Sequence, residues 1–397
     1  MPTEREIKEA VTTDVYFEYA EKALGHAKIN PIVTMEIYTR KSPFETSWAV
    51  VCGIYEVAKL LEGLPIDVDA MEEGQVFLTD PNLALYEPVI SITGHYCDFA
   101  KYENPILGFL CQSSGICTKA ARISLLAEGK TNISFGTRRA HPALAAMIER
   151  SSVIGGLDSV SNVLGAKLLK KKASGTMPHA FILCVGDEAK AWRIFDETLP
   201  KGVGRIALVD TISDEKFAAI RAFETLGNSL EAVRLDTPSS RRGDLRRIAQ
   251  EVRWELDIRG GKKVKIIVSG GLDEHDIVEL RDYVDGFGVG TSVSTAPVID
   301  FGGKIVEMKD SQGKKILMAK RGDLSGRKYV YRNRKTMHDL VTLEDSIPRG
   351  YAPLLRPLIR NGEIVRTFLP IDDLKERTRN EVKKASTVET CFESRLH

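Results

Sequence analysis

The stretch that decides the fold is 264–296, VKIIVSGGLDEHDIVELRDYVDGFGVGTSVSTA. Two short apolar runs, 264–268 and 286–289, each end in a glycine turn, and the segment between them has helical spacing at Ile277 and Leu280. This order predicts strand, turn, helix, strand and turn, which is the repeating unit of a parallel α/β sheet.

The two glycine turns of this stretch suit a bound anion. Gly270 and Gly271 follow the first strand, and Gly288, Gly290 and Thr291 occur at the end of the second. Because glycine has no Cβ, backbone N–H groups at these positions can approach an anion closely. In α/β barrels the loops after the last strands often hold a phosphate in this way. The stretch therefore predicts a site for a phosphorylated small molecule.

Strand and helix patterns alternate before this stretch as well. Short β-rich runs occur at 132–135, 153–156, 181–185, 205–210 and 232–236, with helical patterns between them. Regular alternation over about 180 residues predicts a parallel sheet, and so many repeats favour closure into an irregular (β/α) barrel.

The patterns at the two chain ends differ from the barrel pattern. The N-terminal part mixes helical and strand-like segments, while short runs broken by glycine turns follow Asp300 and precede a charged helix near 372–384. The later runs are typical of antiparallel strands outside the barrel. We therefore predict an α/β protein with a barrel over 116–299 and a second α/β sandwich domain built from 1–115 and 300–397.

Composition excludes several classes of partner. The net charge of +1 provides no overall field for nucleic acid or an anionic membrane. No apolar run approaches the ~20 residues that span a bilayer, and the N-terminus MPTEREIKEA is too charged for a signal peptide. The six cysteines never form a CxxC pair, which favours free thiols in a reducing compartment. We therefore expect a cytoplasmic protein that binds neither nucleic acid nor a membrane. We also expect no metal held by protein ligands alone.

Polar residues follow most of the predicted strands, where a barrel places its active site. They are Arg138, Arg139, Asp158, Ser159, His179, Asp210, Arg234 and Asp236. Each has an ordinary alternative, since arginines pair on surfaces, histidines are often structural and strand-end aspartates cap the next helix. Their common place in a repeating unit nevertheless favours one site for phosphoryl or phosphoribosyl chemistry.

A basic cluster lies between the predicted strands 232–236 and 264–268. It consists of Arg241, Arg242, Arg246 and Arg247. A solvated helix face is the ordinary interpretation, and contact with a pyrophosphate is the alternative. The glycines of 286–290 lack the third glycine of a dinucleotide fingerprint, so a Rossmann nucleotide site is a poor interpretation.

The ordered set of motifs resembles nicotinate phosphoribosyltransferases of archaeal type, members of the type II phosphoribosyltransferases that include the nicotinamide and quinolinate enzymes. The resemblance rests on TTDVYFEYA, SFGTRRAHP, GGLDSVSNVLGA, ASGTMPHAF, ALVDT, VRLD, VSGGLDE, FGVGTSVS and GRKYVYR, in this order. It implies an irregular α/β barrel beside an α/β sandwich domain, which agrees with the change of pattern near Asp300.

The resemblance also implies how the pyridine substrate is bound. Phe135 would stack on the pyridine ring, and Tyr16 from a neighbouring subunit would close the other face, so the protein would be a dimer or a multiple of dimers. Arg138, with Arg139 beside it, would contact phosphate. Asp158 and Ser159 would lie near the substrate's ring or its carboxyl group.

The remaining candidates would, by the same resemblance, handle the sugar and its phosphates. Asp210, Arg234 and Asp236 would engage the ribose hydroxyls, the pyrophosphate or its Mg²⁺. The glycines at 270, 271, 288 and 290 would hold the 5′-phosphate. His179 matches the histidine that some family members phosphorylate with ATP, which makes ATP a possible second cofactor.

The resemblance implies synthesis of nicotinate mononucleotide from nicotinate and phosphoribosyl pyrophosphate, in NAD salvage. Two close alternatives stay open. Quinolinate would need more basic residues than Arg138, Arg139 and Lys167 obviously provide, and nicotinamide could donate its amide N–H to Asp158. A non-catalytic barrel that binds a phosphorylated effector is the alternative from a different class.

Overall fold

The chain folds into two compact units in the computed structural model. Its described residues are 2–44, 46–79, 86–200, 202–237, 240 and 243–387, with the backbone alone of 392–395. Unit 1 combines Met1–Ala121 with Pro297–His397, and unit 2 is Arg122–Ala296. The sequence pattern predicts the two divisions after residues 115 and 299.

Helices and strands are numbered here along the chain. The α-helices are α1 Glu4–Lys8, α2 Val15–Ala27, α3 Ile54–Leu61, α4 Tyr96–Phe99, α5 Glu103–Leu126, α6 Ala145–Ile154, α7 Val163–Leu168, α8 His179–Val185, α9 Glu188–Thr198, α10 Glu215–Leu226, α11 Leu245–Ile258, α12 Glu274–Leu280, α13 Thr291–Ser294 and α14 Ile371–Thr387. The strands are β1 Ile32–Tyr38, β2 Trp48–Val50, β3 Asp67–Ala70, β4 Val76–Leu78, β5 Ile90–His95, β6 Thr131–Ser134, β7 Ser159–Val160, β8 Ile206–Leu208, β9 Ala232–Leu235, β10 Lys265–Ser269, β11 Gly286–Val289, β12 Gly302–Lys309, β13 Lys315–Leu317, β14 Tyr329–Asn333, β15 His338–Thr342, β16 Ala352–Pro353, β17 Arg356–Arg360, β18 Glu363–Ile364 and β19 Phe392–Arg395.

Unit 2 is built on a six-stranded sheet with the order β7-β6-β11-β10-β9-β8. All of its strand pairs are parallel. Alternate residues such as Val233, Leu235, Ile266, Val268 and Phe287 are fully buried, as expected for the helix-covered face of a parallel sheet. The strand–helix–strand unit predicted over 264–296 is confirmed as β10, α12 and β11.

The sheet of unit 2 is an open half-barrel, so the prediction of a closed barrel is wrong. Its edge strands β7 and β8 do not pair with each other among the described residues. Two predicted strands are helical: 153–156 overlaps the end of α6, and 181–185 lies inside α8. Apolar runs of four or five residues fit either structure. In α8 the helix begins after Pro178 and ends at the left-handed Gly186, which are helix-boundary features.

Unit 1 contains a seven-stranded sheet with the order β13-β12-β1-β5-β3-β17-β18, which mixes strands from both chain ends. Antiparallel pairing of β12 with β1 joins the two parts, for example at Thr34 and Glu307. A further sheet has the order β16-β14-β15-β19, and β2 pairs with β4. The predicted antiparallel strands past Asp300 are therefore confirmed.

A buried ion pair in unit 1 joins β1 to the residue that precedes β14. Lys328 Nζ lies 3.0 Å from Glu36 Oε2, and both side chains are fully buried. The Lys328 backbone N–H also donates to Glu36 Oε1 (2.6 Å), and its ammonium lies over the ring of Tyr86. Burial raises the pKa of Glu36 to about 7, although Lys328 opposes the rise.

Two further findings concern the described part of the chain. Its five cysteines carry free thiols, whereas Cys391 lies outside the described residues. None of the helices described is long and apolar enough to cross a membrane.

Candidate active site

Four predicted residues meet at the carboxyl ends of β8 and β9, and we call them the carboxyl-end cluster. Asp210 follows β8, Arg234 lies in β9 and Asp236 follows β9. His179 is the first residue of α8 and not the end of a strand. Parallel strands place their carboxyl ends at one edge of the sheet, which is why residues far apart in the sequence meet here.

The carboxyl-end cluster is held together by short polar contacts. His179 Nε2 lies 3.4 Å from Asp236 Oδ2 and 3.9 Å from Asp210 Oδ2. Arg234 Nη2 lies 2.8 Å from the same Asp236 oxygen. The His179 side chain is 40% exposed, whereas that of Asp210 is 2% exposed. The histidine is therefore the member of the cluster most accessible to solvent, and the two carboxylates beside it are less accessible.

Three hydroxyl groups that the sequence analysis missed orient this cluster. Ser269 donates to Asp236 Oδ1 (2.6 Å) and accepts from Arg234 Nε (2.9 Å). Thr176 accepts from Arg234 Nη1 (2.7 Å), and the Thr211 hydroxyl lies 3.0 Å from His179 Nδ1. Ser269 and Thr211 follow the same rule as the predicted residues, since each stands at or just after the end of a strand.

The two carboxylates of the cluster differ in electrostatic state. Burial raises the pKa of Asp210 to about 6; Asp236 adds to the rise, and His179 opposes it. Burial would also raise the pKa of Asp236, but Arg234 and the hydrogen bond from Ser269 outweigh it, so that this pKa is lowered. Two neighbouring carboxylates with pKa values pushed apart are a frequent feature of active sites.

Phe135 lies next to the cluster, directly after β6. The guanidinium carbon of Arg234 lies 5.2 Å from the centre of its ring. A Cβ atom at Gly288 would come within 2.4 Å of ring atoms of Phe135. A side chain at 288 would therefore collide with the Phe135 ring, and this explains one of the predicted glycines by packing.

The glycine turns lie at the same edge of the sheet. Gly270 has φ +98°, and a Cβ atom there would lie 3.1 Å from the Asp236 carbonyl oxygen. Gly271 has φ +74°, also in the left-handed region that favours glycine. A Cβ atom at Gly136 would lie 2.6 Å from the Gly290 carbonyl oxygen. The loop after β10 therefore touches the segment that carries Asp236, and the loops after β6 and β11 touch each other.

Arg138, Arg139 and Thr291 are exposed on the two loops nearest Phe135. The arginines belong to the 3-10 turn Thr137–Arg139, and Thr291 begins the short helix α13. Because the backbones at 136 and 290 touch, the structure brings these residues to the same edge as the cluster.

Asp158 is not brought to this edge. Its carboxylate accepts the backbone N–H of Asn132 (2.9 Å), and its own N–H donates to the Asn132 carbonyl (2.8 Å). Asp158 precedes β7 and lies at the amino ends of the strands, where the placement expected from the sequence does not hold. Ser159 pairs in register with Ile133 and lines a cavity of about 490 Å³ that includes Thr176.

Two other sets of predicted residues make contacts of their own. Tyr16 belongs to unit 1, where it is 55% exposed on α2 and contacts the Phe17 ring. Arg246 and Arg247 pair with Asp244, whose carboxylate caps α11. Arg241 and Arg242 lie outside the described residues.

A buried carboxylate that the sequence analysis missed holds the loop that carries Asp210 and Thr211. Glu188, on α9, accepts the Ile212 and Ser213 backbone N–H groups (3.0 and 3.2 Å) and the Ser213 hydroxyl (2.7 Å). Arg221 Nη2 lies 2.5 Å from the same side chain. Burial opposes ionisation of Glu188, but these donors lower its pKa. The ionised Glu188 carboxylate on α9 therefore holds the loop after β8 in place.

The cluster has limited capacity for a cation. Among the described residues no group of three or more His, Cys, Asp or Glu side chains could hold a metal ion. Asp210 Oδ1 is buried and has no hydrogen-bond partner in that part of the chain. Asp210 and Asp236 therefore offer oxygen atoms of the type Mg²⁺ prefers, for an ion that a substrate would also have to ligate.

Comparison with known proteins gives the same family for both parts of the chain. Residues 14–114 match "Quinolinate phosphoribosyl transferase, N-terminal domain", and 116–304 match "Quinolinate phosphoribosyl transferase, C-terminal domain". Two nicotinate phosphoribosyltransferases of Mycobacterium tuberculosis are 27% and 30% identical to this chain. The first alignment covers 94% of this chain and 87% of the relative, and the second covers 86% and 84%.

Solved structures extend the likeness to the fold. A nicotinate-nucleotide pyrophosphorylase from Pyrococcus furiosus is 48% identical, with a TM-score of 0.92 over 98% of this chain and 99% of the other. Human nicotinic acid phosphoribosyltransferase shares the fold at a TM-score of 0.76 and 18% identity, over 97% of each chain. The chain therefore belongs to the quinolinate and nicotinate phosphoribosyltransferase family and is a pyridine phosphoribosyltransferase of NAD biosynthesis.

Proposed function

We propose that this protein is a nicotinate phosphoribosyltransferase of archaeal type. It joins nicotinate to phosphoribosyl pyrophosphate and releases pyrophosphate, which yields nicotinate mononucleotide for NAD salvage. The observation that carries the proposal is the carboxyl-end cluster, in which a buried, partly neutralised carboxylate pair stands beside an accessible histidine and an arginine. The family shared with the relatives supplies the reaction class.

The reaction requires charge stabilisation more than proton transfer. The bond from ribose C1′ to the pyrophosphate oxygen breaks while the pyridine nitrogen forms a bond to C1′. Positive charge grows on the sugar, and the proposal assigns its stabilisation to the carboxylates of Asp210 and Asp236. Arg234 and the N–H groups of the glycine turns would stabilise the phosphates. The pyridine nitrogen is unprotonated at neutral pH, so positioning of the ring takes the place of a general base.

Nicotinate would be positioned by aromatic stacking. The proposal places the pyridine ring against Phe135, whose ring lies beside the Arg234 guanidinium. Tyr16 of a neighbouring subunit would cover the other face of the ring, so the protein would act as a dimer or a multiple of dimers. Aromatic pairs of this kind contribute ~0.5–1.5 kcal/mol beyond burial.

Magnesium is proposed to enter with phosphoribosyl pyrophosphate. It would neutralise the leaving pyrophosphate. Asp210, with an unpartnered buried oxygen, and Asp236 are the residues that fit it. Activity should disappear in excess chelator and return with added Mg²⁺. Retention of full activity in chelator would contradict this part of the proposal.

ATP is proposed as an activating cofactor that acts through His179. Its Nδ1 contacts Thr211 and its Nε2 points toward the two carboxylates, so the ring orientation is fixed. His179 would accept the γ-phosphoryl group of ATP on a ring nitrogen as the bond between that phosphorus and the ADP oxygen breaks, and water would then release the group as inorganic phosphate. His179→Ala should then abolish both ATP stimulation and nicotinate-dependent ADP release. An unchanged ratio of ADP to nicotinate mononucleotide would exclude this role.

Nicotinate is preferred over quinolinate because a second substrate carboxylate would need a further cation. At the cluster the described arginine, Arg234, is already shared with Asp236 and Ser269. The names of the curated relatives, which cover most of the chain, agree with this choice. The case for nicotinamide as the substrate rested on an amide N–H donated to Asp158. That case is weaker because the Asp158 carboxylate already accepts the Asn132 N–H.

A direct assay tests the proposal. The full chain is incubated with phosphoribosyl pyrophosphate, Mg²⁺ and one of the three pyridines, with and without ATP, and the mononucleotide is measured. Nicotinate should give the highest kcat/KM, at least tenfold above the others. A higher value with quinolinate would replace the proposed substrate. Binding of phosphoribosyl pyrophosphate without turnover of any pyridine would favour the non-catalytic, effector-binding barrel.

A further inference from the structure

Unit 1 contains a second polar cavity, made by residues of this unit alone, and we call it the arginine cavity. Its volume is about 400 Å³. It lies among β14, the β14–β15 turn, the segment 352–356, the loop before β4 and α14. The charged side chains that line it are Arg332, Arg334, Arg356, Arg377 and Lys384, with Glu72 and Glu381. Cations therefore outnumber carboxylates on its wall by five to two.

Carboxylates neutralise only part of this positive charge. Arg332 is buried and pairs with Asp339 through two contacts (2.7 and 2.5 Å), with Glu381 Oε2 3.4 Å from its third nitrogen. Arg356 and Arg377 share Glu72, at 3.2 and 2.5 Å. The charges of these three arginines are therefore balanced by three carboxylates.

Arg334 and Lys384 are the surplus cations of the arginine cavity. No carboxylate in the part of the chain that the structure describes pairs with either side chain, and both residues are exposed at the cavity. Lys384 lies on α14 seven residues after Arg377, so the two project from one face of that helix. The cavity mouth therefore carries a net positive charge that an anion would neutralise.

Two groups near the arginine cavity, Glu87 and Arg366, are consistent with an excess of positive charge there. Glu87 is buried next to Asp339, and burial together with that carboxylate raises its pKa well above the usual value. Burial lowers the pKa of Arg366 to about 10, and the nearby Arg356 and Arg377 contribute to the decrease. The cations of this region repel one another.

The shape of the arginine cavity indicates more than a simple ion. Its volume falls within the ~300–1,000 Å³ of small-molecule pockets. Met337 and Leu354 are almost fully buried and, with Pro353, form an apolar wall beside the arginines. Arginine forks match phosphate oxygens in pairs, and an apolar wall accepts a flat ring.

We propose that the arginine cavity binds a nucleotide, with its phosphates at Arg334, Arg377 and Lys384 and its base against Met337, Pro353 and Leu354. The nucleotide could be an adenine nucleotide or the pyridine mononucleotide that the enzyme is proposed to form. Both have the same chemistry, a phosphorylated sugar with a flat ring. Such a site goes beyond the proposed function, because it lies in a unit that contains none of the carboxyl-end cluster.

A charge-matched pair of variants tests the nucleotide site. The cavity variant is R334A/K384A, and the control is K335A/K383A, which removes two exposed lysines one residue away that do not line the cavity. Calorimetric titration of the full chain with ATP and with nicotinate mononucleotide should show a binding event whose Kd rises at least tenfold in the cavity variant and less than twofold in the control. Equal effects in both variants, or none in either, would overturn the site.

Two more titrations separate this event from other binding. R234A alters the carboxyl-end cluster and should retain the event, whereas its loss in R234A and retention in R334A/K384A would assign it to the cluster and overturn the proposal. Inorganic pyrophosphate, which has no ring for the apolar wall, should bind at least tenfold more weakly than ATP. Equal affinities would contradict the nucleotide. Thermal unfolding should show that R334A/K384A folds, since both residues are exposed.

Discussion

Glu36 and Asp210 are carboxylates whose pKa values burial raises above normal, and their surroundings are opposite. Glu36 in unit 1 has a pKa of about 7 and Asp210 in unit 2 a pKa of about 6, in both cases chiefly because of burial. The partner of Glu36, Lys328, is fully buried, whereas His179 beside Asp210 is 40% exposed. A perturbed pKa alone therefore does not identify an active site. Access from solvent distinguishes the two.

The largest expected effect concerns Glu36 and Lys328, which we call the sealed pair. Lys328→Met leaves Glu36 buried without its cation, and we expect a loss of ~3–5 kcal/mol in the free energy of unfolding. Urea unfolding measures it. The double variant Glu36→Gln/Lys328→Met should recover most of the loss, while kcat per folded molecule should remain near the wild-type value. A loss of kcat in the stable double variant would show that the sealed pair also serves the reaction.

Asp236 in the carboxyl-end cluster should respond in the opposite manner, because its substitution should alter catalysis. Asp236→Asn keeps the shape of the side chain but removes the charge beside the reacting sugar, so kcat should fall ~10²–10³-fold, with the KM for nicotinate changed less than ~3-fold. Steady-state kinetics at saturating phosphoribosyl pyrophosphate separates the two. Ser269→Ala, which removes one hydrogen bond to the same carboxylate, is the milder control. Equal changes in kcat and KM would contradict a role in the transition state.

The difference between these two regions also shows how far the sequence predicts the site. The residues at 210, 234 and 236 follow or lie in real parallel strands, so their meeting at one edge was predictable from the register. Asp158 was misplaced for a local reason: the predicted strand at 153–156 is the end of α6, and the real strand β7 begins only after Asp158. The residue therefore lies at the opposite edge from the one predicted.

Contacts between distant segments were beyond reach of the sequence pattern. Glu188 supports the Asp210 loop from a helix whose charged residues look like an ordinary solvated face, and Lys328 lies in a polar segment that gives no sign of burial. Both are decided by how the elements pack. Closure of the barrel was overestimated for a related reason, because a short apolar run such as 181–185 fits a strand or a helix equally well.

The raised pKa of Asp210 should be visible in the pH dependence of activity. If the ionised carboxylate stabilises the sugar cation, kcat/KM should fall about tenfold per pH unit below about pH 6 and be constant above it. A pH–rate profile between pH 4.5 and 8 is the measurement, within the range where the fold is intact. Asp210→Asn should lower the plateau and remove the slope. A wild-type profile that is flat through this range would mean that the ionised form is not required.

Stability should depend on the same group with the opposite sign. Folding raises the pKa of Asp210 from 3.8 to about 6, so the folded chain binds the proton more tightly than the unfolded chain. The contribution of Asp210 to stability is therefore complete below about pH 4 and is lost as the pH rises through about 6. The difference in unfolding free energy between wild type and Asp210→Asn should change over this interval, while Glu36, present in both, cancels.

The smallest effect tests whether Glu188 acts on Asp210 through the loop after β8. Glu188→Gln retains an acceptor but loses the charge that binds Arg221. We expect the activation free energy to rise by ~1 kcal/mol, which lowers kcat about fivefold. Glu197→Gln, on the exposed side of the same helix, is the matched control and should be neutral. Because Glu188 fixes the backbone next to Asp210, its loss should also shift the acidic limb of the pH–rate profile. A fall in stability with an unshifted limb would make Glu188 a support of the fold alone, comparable with Lys328, and would leave the ionisation of Asp210 to burial and to His179.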